Sequence, residues 1–322
     1  MLEHGGRLRR AAATYNIPLA DWLDLSTGVN PNGWPAPAVP AAAWARLPED
    51  DDGLSEAACD CYGARHALAV AGSQAAIQAL PRMRAPCRVG VVEPGYAEHA
   101  RAWAAAGHAV VAADEHIDKL DVLVLIHPNN PSGQTYAPAT LLAWHAQLAA
   151  RGGWLLVDEA FMDATPAFSL AAHAHLPGLI VLRSLGKFFG LAGARVGFVL
   201  AQTELLARLR DTLGPWTLTG PARHIATLAL RDRVWQAAAR LELASASAHL
   251  AELLVSHGLP PSGGCALFQR LETRHAEAIH IALAQQGILT RWFDAPHSLR
   301  FGLPGTSADW RRLDAALVRS AP

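Results

Sequence analysis

The residues best equipped for chemistry lie in one stretch, Ile180-Val181-Leu182-Arg183-Ser184-Leu185-Gly186-Lys187-Phe188-Phe189-Gly190-Leu191-Ala192-Gly193-Ala194-Arg195-Val196-Gly197-Phe198-Val199. Lys187 has no acidic neighbour there and is flanked by Leu185, Phe188, Phe189 and Leu191. An ammonium enclosed by such side chains loses hydration, which lowers its pKa and frees the amine to attack a carbonyl. Ser184 three residues before it and Arg195 eight after it add a hydroxyl and a guanidinium, donors that suit an anion. The set fits a ligand that is both an aldehyde and an anion. A solvated lysine in an amphipathic loop would read the same way, so other segments must decide.

The segment resembles the lysine segment of the fold-type I pyridoxal-phosphate enzymes of the aspartate aminotransferase superfamily, with Ser184, Lys187, Arg195 and Gly197 in the pattern's places. The resemblance implies pyridoxal 5'-phosphate as cofactor, carried on Lys187 and contacted by Ser184 and Arg195. Further boxes follow in the superfamily's order. Gly72-Ser73-Gln74 joins a short apolar run to a helix-like one; such a turn is either a plain cap or a set of backbone N–H groups facing an anion, and the resemblance gives all three residues to the cofactor phosphate. Tyr96, after Glu93-Pro94-Gly95, reads as a core tyrosine or as a stacking platform for a flat ring; the superfamily has the platform. In His127-Pro128-Asn129-Asn130-Pro131-Ser132-Gly133, a turn by composition, the resemblance makes Asn130 the donor to the cofactor's ring hydroxyl oxygen. Leu155-Leu156-Val157-Asp158-Glu159-Ala160-Phe161 carries a carboxylate out of an apolar strand, which is costly without a cation. By resemblance Asp158 meets the protonated pyridine nitrogen, and Asp158 and Lys187 are the catalytic pair. Phe161 stands where many relatives have tyrosine, so more of the ring-oxygen contact is expected to fall to Asn130.

Substrate contacts narrow the expectation. Ser298-Leu299-Arg300-Phe301-Gly302 resembles the strand with the superfamily's carboxylate-binding arginine, a bidentate role that lysine cannot fill. The opening Glu3-His4-Gly5-Gly6-Arg7, the run Asp24-Leu25-Ser26-Thr27-Gly28-Val29-Asn30-Pro31 and Leu289-Thr290-Arg291-Trp292 resemble the threonine-phosphate decarboxylases, a family near the histidinol-phosphate aminotransferases. That resemblance covers nearly the whole chain. It implies decarboxylation of L-threonine O-3-phosphate to (R)-1-amino-2-propanol O-2-phosphate for cobalamin biosynthesis; the alternative is transamination of a phosphorylated amino compound such as histidinol phosphate. It carries over His4, Ser26, Asn30 and Arg291 as substrate contacts, His4 and Arg291 toward the phosphate, a dianion that needs more than one donor. Gly28 and Leu47 depart from the pattern, replacing an asparagine and a tyrosine of many relatives.

The elements that must hold these residues alternate regularly. Apolar runs at 67–71, 88–93, 108–112, 121–126, 153–157, 179–183 and 196–201 read as strands, and 75–83, 96–106 and 138–151 read as helices. Strands without polar alternation suit a parallel sheet covered on both faces, and ligands of such α/β sheets collect beyond the strand C-termini, where the candidates fall. The resemblance makes this sheet mostly parallel and seven-stranded, in a large domain at 48–221. The chain ends, 1–47 and 222–322, are expected to form a smaller α+β domain, with one or two long alanine-rich helices over 222–257. Residues 35–48, rich in proline, read as an extended crossing, and Glu49 to Asp52 as a solvated acidic helix cap.

Composition excludes several classes. The 322 residues are 51% hydrophobic and 17% charged with net charge −1, a globular balance offering no basic field to nucleic acid. Four scattered cysteines suit neither a disulfide framework nor a zinc site, and no long apolar run or signal core occurs. A cytoplasmic protein without metal is expected, and the resemblance implies a homodimer.

Overall fold

Thirteen strands are formed among residues 4–113 and 116–319, the part of the chain that this computed structural model describes. In chain order they are β1 (Leu23–Asp24), β2 (Leu68–Val70), β3 (Arg88–Val91), β4 (Ala109–Ala112), β5 (Val122–Ile126), β6 (Trp154–Asp158), β7 (Leu179–Ser184), β8 (Gly197–Leu200), β9 (Gly263–Cys265), β10 (Phe268–Glu272), β11 (Ile288–Leu289), β12 (Arg291–Phe293) and β13 (Ser298–Gly302). Two compact units are present, one of Trp34–Asn130 with Thr135–Ala238 and one of Met1–Gly33, Pro131–Gln134 and Ala239–Pro322. Glu3 of the opening motif lies outside the described residues.

The larger unit holds a seven-stranded sheet in the order β2-β8-β7-β6-β5-β3-β4. Only β8 runs against its neighbours, pairing antiparallel with both β2 and β7, so the mostly parallel sheet expected from the sequence is present. Every residue of β5, β6 and β7 is buried, which is why these strands show no polar alternation. Strand β3 stops at Val91, two residues short of the expected run, and Pro94 follows a cis peptide bond in the turn leading to Tyr96. Residues 35–48 are not wholly extended: Ala41–Ala45 is helical and lies on the start of helix Gly220–Arg231, where a Cβ on Gly220 would strike the Ala43 carbonyl. The long alanine-rich region is two helices, Gly220–Arg231 and Arg233–Ser256, broken at Asp232, whose carboxylate accepts the Trp235 N–H at 3.0 Å. Nor is the acidic stretch before helix Leu54–Tyr62 merely solvated. Arg223 donates to both oxygens of Asp52, at 2.6 and 2.7 Å, and to Asp50 at 3.2 Å. No helix among the described residues is long and apolar enough to cross a membrane.

In the smaller unit β12, β13, β10 and β9 form an antiparallel sheet, and β1 pairs in parallel with β11. Trp292 stacks with His280 of helix Ala276–Ala284, which fixes the sheet face that this helix covers. Arg291, Arg300 and Arg270 are aligned in register across β12, β13 and β10, so their Cβ atoms leave by the other face.

On the face of the large sheet opposite Asp158, consecutive strands are tied by a buried ion network. Arg183 of β7 donates to Glu159 and to Asp163, each at 2.7 Å, and its guanidinium lies 4.3 Å from the centroid of Tyr62. Burial pushes the Glu159 carboxyl up despite Arg183. Burial works against the Arg183 charge too, yet Asp163 and Glu159 hold its pKa above the ordinary value. Removing one partner of such a network strands the others in low dielectric. Arg183→Leu should lower the unfolding free energy by about 3–5 kcal/mol in urea titrations; a loss below about 1 kcal/mol, the worth of an exposed pair, would show that the network does not brace β6 against β7.

Candidate active site

Sheet order brings the cofactor candidates of the larger unit together. Tyr96 follows β3, Asn130 follows β5, Asp158 ends β6 and Ser184 ends β7, all at the C-terminal edge of neighbouring parallel strands. The ladder continues past the strand ends: His127 N–H donates to the Asp158 carbonyl at 2.8 Å and Glu159 N–H to the Leu182 carbonyl at 2.9 Å.

At the other side of Ser184, Gly197 pairs with both Ser184 and Val70, and the Gly72-Ser73-Gln74 turn sits over that row. A Cβ on Gly197 would stand 2.5 Å from the Ser73 nitrogen, so only glycine lets the turn approach. Gly72, at φ +70°, precedes helix Ser73–Ala79 with no side-chain cap, and a Cβ there would lie 2.5 Å from the Arg195 guanidinium. Arg195 adopts a left-handed conformation (φ 53°), an uncommon one for a residue with a side chain. Backbone donors, guanidinium and the Ser184 hydroxyl, which accepts the Gly186 N–H at 3.2 Å, thus converge as a phosphate needs.

Tyr96 is tied to this turn by its hydroxyl, which donates to Gln74 Oε1 at 3.2 Å. Burial, then the charges of Glu98 and Asp158, push its pKa up to about 12, so it remains a neutral ring. Its edge meets His99, centroids 6.2 Å apart, and His99 Nε2 lies 2.9 Å from Asp158 Oδ2. Asp158 Oδ1 accepts the Ala160 N–H at 3.0 Å. The carboxylate is 3% exposed and held from both oxygens, an arrangement fit to face a pyridinium nitrogen. Asn129, beside Asn130, donates to the Pro94 carbonyl at 2.8 Å and so couples the two turns.

Lys187 is half-buried. Phe188 and Phe189 pack with Trp235, and the Phe161 ring lies near the lysine Nζ, 5.4 Å away at the centroid. Phe161 therefore has a place of its own beside the lysine. The donors at 72–74 and 195, the held carboxylate of Asp158 and the lysine together fit pyridoxal 5'-phosphate.

The substrate candidates lie in the smaller unit. Ser26 is buried; its hydroxyl donates to Asp24 at 2.6 Å and accepts the Gly6 N–H at 2.7 Å, while its carbonyl accepts from Arg300 at 2.8 Å. A Cβ on Gly5 would strike that carbonyl and Gly6 needs φ +77°, which gives the His4-Gly5-Gly6 run a physical reason: it is strapped onto Ser26. Asn30 accepts the Asn32 N–H at 2.9 Å. Arg300 is 6% exposed and lies over Phe268; burial, then the charge of Arg291, bring its pKa down to about 10, still cationic at neutral pH. Arg291 is its register partner.

His99 escaped the sequence reading because it sits in an ordinary helix, Glu98–Ala105, with no motif around it. The buried Arg183 had a signal, a charge inside an apolar strand beside the Asp158-Glu159 pair. His127 is fully buried at a cis peptide bond to Pro128, and its Nε2 accepts the Tyr136 N–H at 2.9 Å.

A family model for aminotransferase class I and II matches residues 21–317. The chain is 61% identical to a threonine-phosphate decarboxylase of Pseudomonas aeruginosa, over 99% of this chain and 98% of that protein. It is 45% identical to one from a Sinorhizobium species, again over 99% and 98%. The solved histidinol-phosphate aminotransferase of Sinorhizobium meliloti, in complex with pyridoxal 5'-phosphate, superposes with TM-score 0.85 at 18% identity, covering 100% of this chain and 98% of that one.

Burial brings the His127 pKa down from 6.5 to about 4. The unfolded imidazole takes a proton first, so this residue's contribution is complete above pH 6.5 and is lost as pH falls toward 4. Urea unfolding of the protein and of His127→Gln across that interval should show the steeper loss in the unaltered protein; equal slopes would remove His127 as a source of acid sensitivity.

Proposed function

The chain belongs to the class I and II aminotransferase family, and from that membership we propose that it decarboxylates L-threonine O-3-phosphate to (R)-1-amino-2-propanol O-2-phosphate, using pyridoxal 5'-phosphate. The observation that carries this reading is 61% identity to a threonine-phosphate decarboxylase along nearly the whole of both chains. The glycine strap that fixes His4 beside Ser26 supports it independently.

When bound, the cofactor supplies an aldehyde that captures the substrate amine and a ring that accepts the electrons of the broken bond. Lys187 would carry it. Asp158, oriented by His99 and the Ala160 N–H, would keep the ring nitrogen protonated. Tyr96 would stack on the ring, Asn130 would bond its hydroxyl oxygen, and Gly72, Ser73, Gln74, Ser184 and Arg195 would hold the phosphate. For the substrate, His4 and Arg291 take the phosphate while Arg300 and Asn30 orient the carboxylate; Ser26 supports Arg300 through its carbonyl. Gripping both anionic ends sets the C–CO2 bond, not the Cα–H bond, for cleavage. The C–CO2 bond breaks, carbon dioxide leaves, and a proton is returned to the same carbon by Lys187 or an ordered water.

The same reading makes the protein a cytoplasmic homodimer serving cobalamin synthesis. In support of association, Trp44, Leu47 and Trp216 of the larger unit are 70%, 67% and 62% exposed, an apolar display costly to leave in water. Leu47, in place of a tyrosine, would make an apolar contact across the interface. Sedimentation should give a dimer, and Trp44→Asp combined with Trp216→Asp a monomer; a monomeric unaltered protein ends the dimer assignment.

Enzyme given L-threonine O-3-phosphate should release carbon dioxide in stoichiometry with amino alcohol phosphate without any keto acid, and Lys187→Ala should release none. Amino transfer that depends on added keto acid, with no gas, would make the chain an aminotransferase of phosphorylated amino compounds instead. Arg300→Lys should reduce kcat/KM at least about tenfold, since an ammonium cannot reproduce bidentate pairing.

A further inference from the structure

We propose that Trp34, Asp232 and Trp235 are positioning residues for Lys187, closing a ring of contacts around loop 185–191 that fixes where its amine stands. The inference rests on the reading that Lys187 carries the cofactor, and it adds three residues outside every motif used for that reading.

The loop is partly self-bonded: Leu185 N–H donates to the Val196 carbonyl at 3.1 Å, Leu191 N–H to Leu185 at 3.2 Å and Gly190 N–H to Lys187 at 3.2 Å. The Phe189 carbonyl has a partner from elsewhere, the Trp34 N–H at 2.9 Å. From Trp34 the contacts run onward. Its indole Nε1 donates to Asp232 Oδ2 at 3.0 Å, and Asp232 Oδ1 accepts the N–H of Trp235, in the first turn of helix Arg233–Ser256, at 3.0 Å. The Trp235 ring then returns to the loop, stacked on Phe189 at 5.6 Å and edge-on to Phe188 at 5.3 Å. The two phenylalanines meet at 88° and are buried, and Trp34 is 8% exposed.

Phe188 and Phe189 follow Lys187 directly, so turning the backbone at the lysine means pulling two rings out of contact with Trp235. Close-packed aromatic neighbours resist such a shift, and aromatic pairs add their own preference for this geometry. The backbone sets where the lysine stem begins, and so the space within which its four rotatable bonds can place the amine. Misplacing a reacting group by about 1 Å can cost about a hundredfold in rate. A loop kept only by its own three bonds would retain its turn and lose its anchorage.

The test uses the full chain. Borohydride trapping of added pyridoxal 5'-phosphate at Lys187 in the unaltered protein comes first, because its failure overturns the cofactor reading and this proposal with it. Trp34→Phe keeps the main-chain N–H and an aromatic ring but loses the indole donor; Asp232→Ala removes both acceptors; Asp232→Asn keeps one acceptor and is the intermediate variant. Three quantities are then compared: hydrogen exchange of the Gly190 and Leu191 amides in the cofactor-free protein, the rate at which added cofactor becomes linked, and the pH midpoint of the linked cofactor's visible band. Loss of one charge-assisted hydrogen bond corresponds to at least about a tenfold change in the local equilibrium. Trp34→Phe and Asp232→Ala should therefore exchange about tenfold faster and link about tenfold more slowly, with a displaced midpoint, while Asp232→Asn, which keeps one acceptor, falls between Asp232→Ala and the unaltered protein. Should Trp34→Phe lower Tm yet leave exchange, linkage rate and midpoint unchanged, the contacts only stabilise the fold and the proposal fails.

Discussion

A carboxylate at the end of a strand buried on both faces cannot remain ionised without partners, because desolvation exceeds what one hydrogen bond returns. Strand β6 presents this problem twice, at Asp158 and at Glu159, whose side chains leave by opposite faces. The answers differ. Glu159 is closed off by Arg183, Ser169 and the Leu170 N–H, a complete internal solution. Asp158 receives His99 and the Ala160 N–H, and in an enzyme of this family it faces the cationic nitrogen of the cofactor. One carboxylate braces the sheet while the other is the one assigned to chemistry in the proposed function.

The rest of the larger unit's site follows from that division. With β7 fastened to β6 by Arg183, Ser184 and the loop after it have a fixed origin. Gly197 lets the 72–74 turn press onto the same row, and Gly72 leaves room for Arg195. Glycine is required at these two places for different reasons: at Gly197 the obstacle is another backbone, and Gly72 holds φ +70°, a conformation that any side chain would strain. In the smaller unit Gly5 repeats the first case against Ser26.

Much of this was legible from local sequence. Lys187, Asp158 and Asn130 stand in short runs whose spacing is set by strand and turn geometry, and the uninterrupted apolar strands announced a doubly covered parallel sheet. Boundaries were less legible. The proline-rich crossing gained a helix because Gly220 offers Ala43 a surface, and the long alanine-rich helix breaks at Asp232, whose role comes from Trp34, distant in sequence. His99 and Trp235 had no local signature, since their meaning lies wholly in what packs beside them.

By itself the sequence determined the class of chemistry, the cofactor and where along the chain the strands of the large sheet fall, because each depends on residue types at short range along the chain. Only tertiary structure decided that His99 would hold Asp158, that Arg183 would pair with two buried acids and that Phe161 would lie beside Lys187. Those outcomes turn on burial and on contacts between segments far apart in the chain. Desolvation and close packing act through space, and residue spacing along a strand or helix carries no record of them.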